Sequence, residues 1–161
     1  MSYKIPDQTH IGHVHLKVSN LDKALAFYKD LLGFEITARY GSNAVFISAG
    51  GYHHHIGLNT WFSKNAPPAP QHSTGLFHTA IVYPTRKDLA IALKRLIDAK
   101  YPLTGASDHG VSEAIYLDDP DGNGVELYWD RPKEKWPVDA NGNLQMFTEH
   151  LDLQGLLAEI K

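Results

Sequence analysis

An α+β fold assembled from two βαβββ modules is what this sequence predicts, and three observations carry that expectation. The alternating run His13-Val14-His15-Leu16-Lys17-Val18 leads straight into Leu21, Ala24, Leu25, Tyr28, Leu31 and Leu32, which share one helical face. The same grammar returns at Phe77-His78-Thr79-Ala80-Ile81-Val82, followed by Leu89, Leu93, Leu96 and Ile97, with the two opening histidines 65 residues apart (78 − 13). After each helix come three short strand candidates separated by turn residues. A chain of 161 residues is enough for one domain that buries its own core, at roughly 150 residues per domain.

In the first module, about 10–59, Ser19 with Asp22 reads as the capping pair that opens the helix, and Gly33 ends it. Strands are expected around 34–40, 44–49 and 53–59, with Gly41 and Gly50-Gly51 as turns. The stretch 59–75, holding Pro67, Pro68, Pro70 and Gly75, reads as a crossover loop. In the second module, about 76–129, Thr85 and Asp88 sit in capping-box positions and Pro102 closes the helix. Strands are expected at 103–106, 111–118 and 124–129, with Asp121-Gly122-Asn123-Gly124 as the last turn. The domain is therefore expected over 1–132, followed by a C-terminal extension, 133–161, ending in a short helix at 152–160. The apolar residues of that helix, Leu153, Leu156, Leu157 and Ile160, need a surface to cover, on this domain or on a second subunit.

Composition narrows the chemistry. Cysteine is absent, which excludes disulfides, thiolate metal sites, iron–sulfur clusters and cysteine nucleophiles. A net charge of −3 with no basic–aromatic surface gives no reason to expect nucleic acid. With neither a long apolar run nor a basic-led hydrophobic start, no membrane span or signal peptide is expected, and a cytoplasmic protein follows. Histidine, by contrast, occurs 10 times.

Three positions fall on strands that a shared concave face could collect: His13, His78 and Glu126. Two imidazoles and one carboxylate form a facial set that holds a divalent metal and leaves positions open for substrate or oxygen. Their spacing means nothing locally; it acquires meaning only if the repeat brings the three strands into one sheet.

The stretches His13–Leu21, Ala26–Phe34 and Asp119-Pro120-Asp121-Gly122-Asn123-Gly124-Val125-Glu126-Leu127 resemble the vicinal oxygen chelate superfamily, which includes glyoxalase I, extradiol ring-cleaving dioxygenases, fosfomycin-resistance enzymes and bleomycin-binding proteins. The resemblance spans about residues 10–132 and implies paired βαβββ modules forming a curled mixed sheet around a metal site, the vicinal oxygen chelate fold. Glyoxalase-type sites add a glutamate on the fourth strand of the first module; Gly57 stands there, so the resemblance implies a three-ligand site. The run from His109 through Tyr116 to Asp119-Pro120-Asp121-Gly122 and Glu126 is similar to the extradiol dioxygenase signature, with Ser107 departing from it. Gly50-Gly51-Tyr52-His53-His54-His55-Ile56-Gly57-Leu58-Asn59-Thr60-Trp61 most resembles bacterial catechol-2,3-dioxygenase-like proteins, which commonly carry two such double modules where this chain has one.

The resemblance implies a metal-dependent extradiol-type dioxygenase acting with O2 on a small catechol-like vicinal diol, as in aromatic degradation. Fe(II) is the expected metal, with Mn(II), Zn(II) or Ni(II) as substitutes. Tyr116 would hydrogen-bond a bound substrate oxygen. His109 and one of the internal histidines would move protons, a task suited to a group that titrates near neutral pH. Strand alternation over 53–59 puts His53, His55 and Gly57 on one face, which favours His55, with His54 second. A homodimer is expected. The alternatives are a glyoxalase-like isomerase or thiol transferase on the same triad, and a metal-free drug-binding resistance protein.

Overall fold

A computed structural model describes residues 2–70 and 72–161. The chain forms two compact units, one ending at Pro67 and one running from Pro68 to Lys161, so the division falls inside the proline-rich crossover loop. Each unit carries one sheet, and the four strands of each module follow the same order, with one further strand added to the second sheet.

The first unit contains β1 (Val14–Lys17), α1 (Leu21–Leu25), β2 (Glu35–Tyr40), β3 (Ala44–Ser48) and β4 (Ile56–Asn59). Its sheet runs β1-β4-β3-β2, with β1 parallel to β4 and the other pairs antiparallel. The helix opens on Asn20, whose side chain accepts from the Lys23 amide at 3.0 Å; the cap is therefore one residue later than the expected Ser19. Asn20 is extended, so its Oδ1 can reach the third amide of the first turn. Past α1 the chain widens into a π-helical turn over Ala26–Leu31. Leu16, Val18, Leu25, Phe27, Tyr28, Ile47, Ile56 and Leu58 form the buried core, about where a period of 2 in the strands and near 3.6 in the helix places them.

The second unit contains β5 (Thr79–Val82), α2 (Arg86–Asp98), β6 (Gly105–Asp108), β7 (Ser112–Asp118), β8 (Gly124–Asp130), β9 (Glu149–His150) and α3 (Leu153–Leu157). Its sheet runs β5-β8-β7-β6-β9, again with the first and last strands of the module parallel. Thr85 caps α2 by accepting from the Asp88 amide, with the hydroxyl donating to the Asp88 carboxylate at 2.5 Å. Leu89, Leu93 and Leu96 are fully buried along one stripe, whereas Ile97 is half-exposed.

The C-terminal stretch is built into this second unit. β9 pairs with β6, and α3 packs on α2 with Leu156 fully buried, so the tail helix covers this chain's own helix. Arg86 ties them further, donating to the Gly155 carbonyl at 3.2 Å and to Glu159 at 2.7 Å. Two turns with the same sequence grammar adopt the same hydrogen bonds. Asp119 Oδ1 accepts from the amides of Asp121 and Asn123, and Asp139 Oδ1 accepts from those of Asn141 and Asn143. Among the described residues, no helix is long and apolar enough to cross a membrane.

Candidate metal centre

In the second unit, four sequence-predicted residues come together in a line. Tyr116 on β7 lies opposite Glu126 on β8, and Ala80 on β5 flanks Glu126 on its other side. Alternation turns Glu126 and Tyr116 away from the face where Val125, Leu127, Ile115 and Leu117 are buried. His78 stands just before β5. Gly124 permits its close approach, since a Cβ there would lie 2.2 Å from the Phe77 carbonyl oxygen and 3.1 Å from His78 Cβ.

The contacts run in sequence. His78 Nε2 is 2.9 Å from Glu126 Oε2. The Tyr116 hydroxyl is 3.0 Å from Glu126 Oε1 and 2.7 Å from His109 Nε2. Burial, then the charge and hydrogen bond of Glu126, push the Tyr116 phenol up to about 12, so near neutral pH it is a proton donor.

The donor set suits a divalent ion. An imidazole nitrogen and a carboxylate oxygen are both donors that such an ion accepts, and here they meet each other at hydrogen-bond distance. The other nitrogen of His78, Nδ1, is buried without a hydrogen-bond partner among the described residues, so Glu126 is the polar partner that orients the ring. Among the described residues, no three His, Asp or Glu side chains gather into one metal-binding group.

In the first unit His13 precedes β1, and the expectation of a single sheet holding all three ligand strands gives way to one sheet per module. Here the histidines form an aromatic cluster. The His13 and His54 rings are 4.4 Å apart, and Phe46 lies 4.9 Å from His54. His53 Nδ1 and His54 Nδ1 are 2.7 Å apart. His55 turns elsewhere: its Nδ1 is 2.9 Å from Ser48 Oγ and its ring 4.9 Å from Tyr52. Strand alternation does not reach these residues because β4 begins at Ile56; in the turn, it is His54 that meets His13. Partial desolvation, then the neighbouring His13, push His54 below the ordinary histidine range.

Gly57 has a physical reason. His15 lies opposite it in the register, and a Cβ on Gly57 would lie 2.8 Å from His15 Cδ2. The His15 ring thus occupies the space a side chain at 57 would need, and it also meets Phe46 and Trp61. In the sequence His15 is simply one residue of the alternating run that opens the first module; its part shows only in the pairing of a glycine with a bulky residue on adjacent parallel strands.

With two copies of one strand order, each helix-backed and opening on a histidine, the molecule belongs to a known class. Residues 10–127 match the Glyoxalase/Bleomycin resistance protein/Dioxygenase superfamily, and the chain is a member of that superfamily. It is 42% identical to a catechol-2,3-dioxygenase of Bacillus subtilis (strain 168) over 156 residues, covering 96% of this chain and 53% of that protein. It is 31% identical to biphenyl-2,3-diol 1,2-dioxygenase 3 of Rhodococcus globerulus over 121 residues, covering 74% and 63%. A solved glyoxalase/dioxygenase structure from Nostoc punctiforme superposes with a TM-score of 0.65 at 16% identity, over 81% of this chain and 98% of that one. The chain thus spans between about half and just under two thirds of these two curated relatives.

Proposed function

We propose that this protein is a metal-dependent extradiol-type dioxygenase that cleaves the ring of a small catechol-like vicinal diol. The observation that carries this is the line His109–Tyr116–Glu126–His78, in which two metal-type donors converge and a phenol bridges one of them to a histidine. The similarity to catechol and biphenyl-diol dioxygenases supports the same reaction class.

His78 and Glu126 would hold Fe(II), with Mn(II) as substitute, and His13 would be the third protein ligand. Support for His13 is the register: β1 meets β4 at Val14 and Ile56, β5 meets β8 at Thr79 and Val125, so His13 and His78 hold equivalent places. A diol chelated by an ion held there would ionise more readily, because the positive charge would stabilise its anion. Tyr116 remains a protonated phenol and donates a hydrogen bond, either to Glu126 or to a diol oxygen beside it. His109 is the candidate proton acceptor at Nε2, reached when the Tyr116 hydroxyl turns its one proton from Glu126 to His109. His54, whose pKa partial desolvation and then the neighbouring His13 push down, is the candidate base in the first module. Phe46 and Trp61 offer flat apolar surface of the kind an aromatic substrate needs. In the overall change both oxygen atoms of O2 enter the product and one ring carbon–carbon bond beside the diol breaks, with no external reductant. We place the enzyme in the cytoplasm as a homodimer.

The test is anaerobic loading with Fe(II), addition of O2, and a screen of catechols for the yellow ring-cleavage product, with the metal content of His13→Ala measured in parallel. Yellow product from at least one catechol, and metal lost in the variant, are expected. Turnover of a glutathione-type adduct with nickel or zinc would favour a glyoxalase-like isomerase. Ligand binding without metal, unchanged in His78→Ala, would favour a drug-binding protein.

A further inference from the structure

The tail reaches back to the line of residues just described. His109 lies in the turn between β6 and β7, with Nε2 facing Tyr116. Its other nitrogen, Nδ1, is 2.8 Å from the main-chain carbonyl of Phe147, with Thr148 Oγ1 farther off at 3.4 Å. A carbonyl oxygen can only accept, so Nδ1 must carry a proton. The tie is reciprocal, because the Phe147 amide donates to the His109 carbonyl at 3.4 Å. Just beyond, β9 pairs Ser107 with His150 and Asp108 with Glu149.

The turn leaves room for this contact and is braced beneath it. Gly110 has φ +76, and a Cβ there would lie 2.6 Å from the Phe147 ring and 2.9 Å from Pro137. Asp108 accepts from the Gly110 amide at 2.8 Å and is gripped by Arg131 at 2.5 and 2.8 Å. All the residues supplied by the tail lie beyond the stretch matched to the superfamily, which ends at 127.

We propose that the segment Pro137–His150 is a positioning strap for the site, in which the Phe147 carbonyl holds His109 in the tautomer protonated at Nδ1 and leaves Nε2 a bare acceptor facing the Tyr116 hydroxyl. A free imidazole favours the opposite tautomer, whose protonated Nε2 could only donate. With the strap in place, a neutral His109 presents a lone pair to the Tyr116 hydroxyl, whose single proton goes either to Nε2 or to Glu126. Phe147 and its neighbours act through His109 and touch no substrate; they are positioning residues. This assignment rests on treating His109, Tyr116 and Glu126 as the working site, but the tautomer is measurable without any reaction.

The experiment is long-range proton–nitrogen NMR on the full chain as purified, with 15N-labelled histidine, at a pH where the His109 ring is neutral. Protonated Nδ1 and bare Nε2 are expected in the wild type. In Phe147→Gly, which removes the ring over Gly110 and loosens the carbonyl, a single tautomer should become a mixture. Met146→Ala, on an exposed neighbour, should leave the signals in place. A wild-type His109 protonated at Nε2 overturns the proposal, and so does an unchanged tautomer in folded Phe147→Gly. Should that variant not fold, the wild-type spectrum alone decides. Failure of every catechol with the Nδ1 tautomer intact removes the dioxygenase assignment and leaves the strap standing.

Discussion

Val14 opposite Ile56 in the first module and Thr79 opposite Val125 in the second mark the same rung of the same parallel ladder. One rung further on, the modules part company. The first sets His15 against Gly57, and the second sets Ala80 against Glu126. The bulky residue has changed strands, and with it the chemistry. In the second module a small Ala80 leaves the carboxylate free to meet His78 and Tyr116. In the first, an imidazole fills the space and no carboxylate fits. The next strand shows the same divergence, because Phe46 lies opposite Gly57 where Tyr116 lies opposite Glu126. One backbone therefore carries a polar, hydrogen-bonded row in one copy and an aromatic cluster in the other. The backbone ladder sets where side chains stand and is indifferent to which of a facing pair is large.

Breaking the polar row should have the largest effect. Glu126→Gln should abolish both bound Fe(II), read by elemental analysis, and ring cleavage. Tyr116→Phe keeps the carboxylate and loses only its hydrogen bond, for which a drop of about 10–100-fold in metal affinity or turnover is expected. Neither loss should follow from Phe46→Tyr in the first module, where no carboxylate stands opposite.

Stability should separate the modules next. Glu113 is buried on β7 and receives Arg86 at 2.8 Å and Arg131 at 2.9 Å. Arg131→Met leaves that carboxylate with a single partner and releases Asp108 as well, so urea unfolding should show a loss of about 1.5–3 kcal/mol. The first module has no counterpart to this network among its described residues. Its vulnerable point is the close contact at Gly57. Gly57→Ala should cost about 1–3 kcal/mol by overpacking against His15, and His15→Ala in the same chain should recover most of it. If the double variant is no better than the single one, the contact is not what excludes a side chain at 57.

The smallest differences lie at the helix starts and in acid. Asn20→Ala and Thr85→Ala remove equivalent caps and should each cost about 1 kcal/mol. The Arg131 guanidinium, more than any other neighbour, holds the Asp108 carboxyl below its ordinary value of 3.8. Its folded pKa is thus below its unfolded one. The stability it contributes is complete above the unfolded value and is lost as pH falls through the folded one. Thermal melts across that acid range should show the slope in the wild type and a flatter line in Asp108→Asn.

Much of this was legible in the chain before any coordinates. The two histidines that open β1 and β5, the Thr85 cap and the Asp119 turn all declare themselves locally, because periodicity and capping depend on residues a few positions apart. The start of α1 was missed by one residue for a related reason: Ser19 and Asn20 both suit a cap, and the backbone chooses between them. His54 and His55 could not be separated, since alternation stops where β4 has not yet begun.

By itself, then, the sequence determined the repeat, the helix faces, the candidate ligands and the absence of thiolate chemistry, all properties of residue type and near spacing. Only the tertiary structure decided which residues stand opposite one another. That includes His15 against Gly57, Tyr116 against Glu126, and a phenylalanine carbonyl from the tail against His109, 38 residues away. Contacts of that kind follow from strand register and chain return. Within a hairpin, register follows from the alternating pattern and the turn, but which more distant strands become neighbours is settled by the packing of whole sheets.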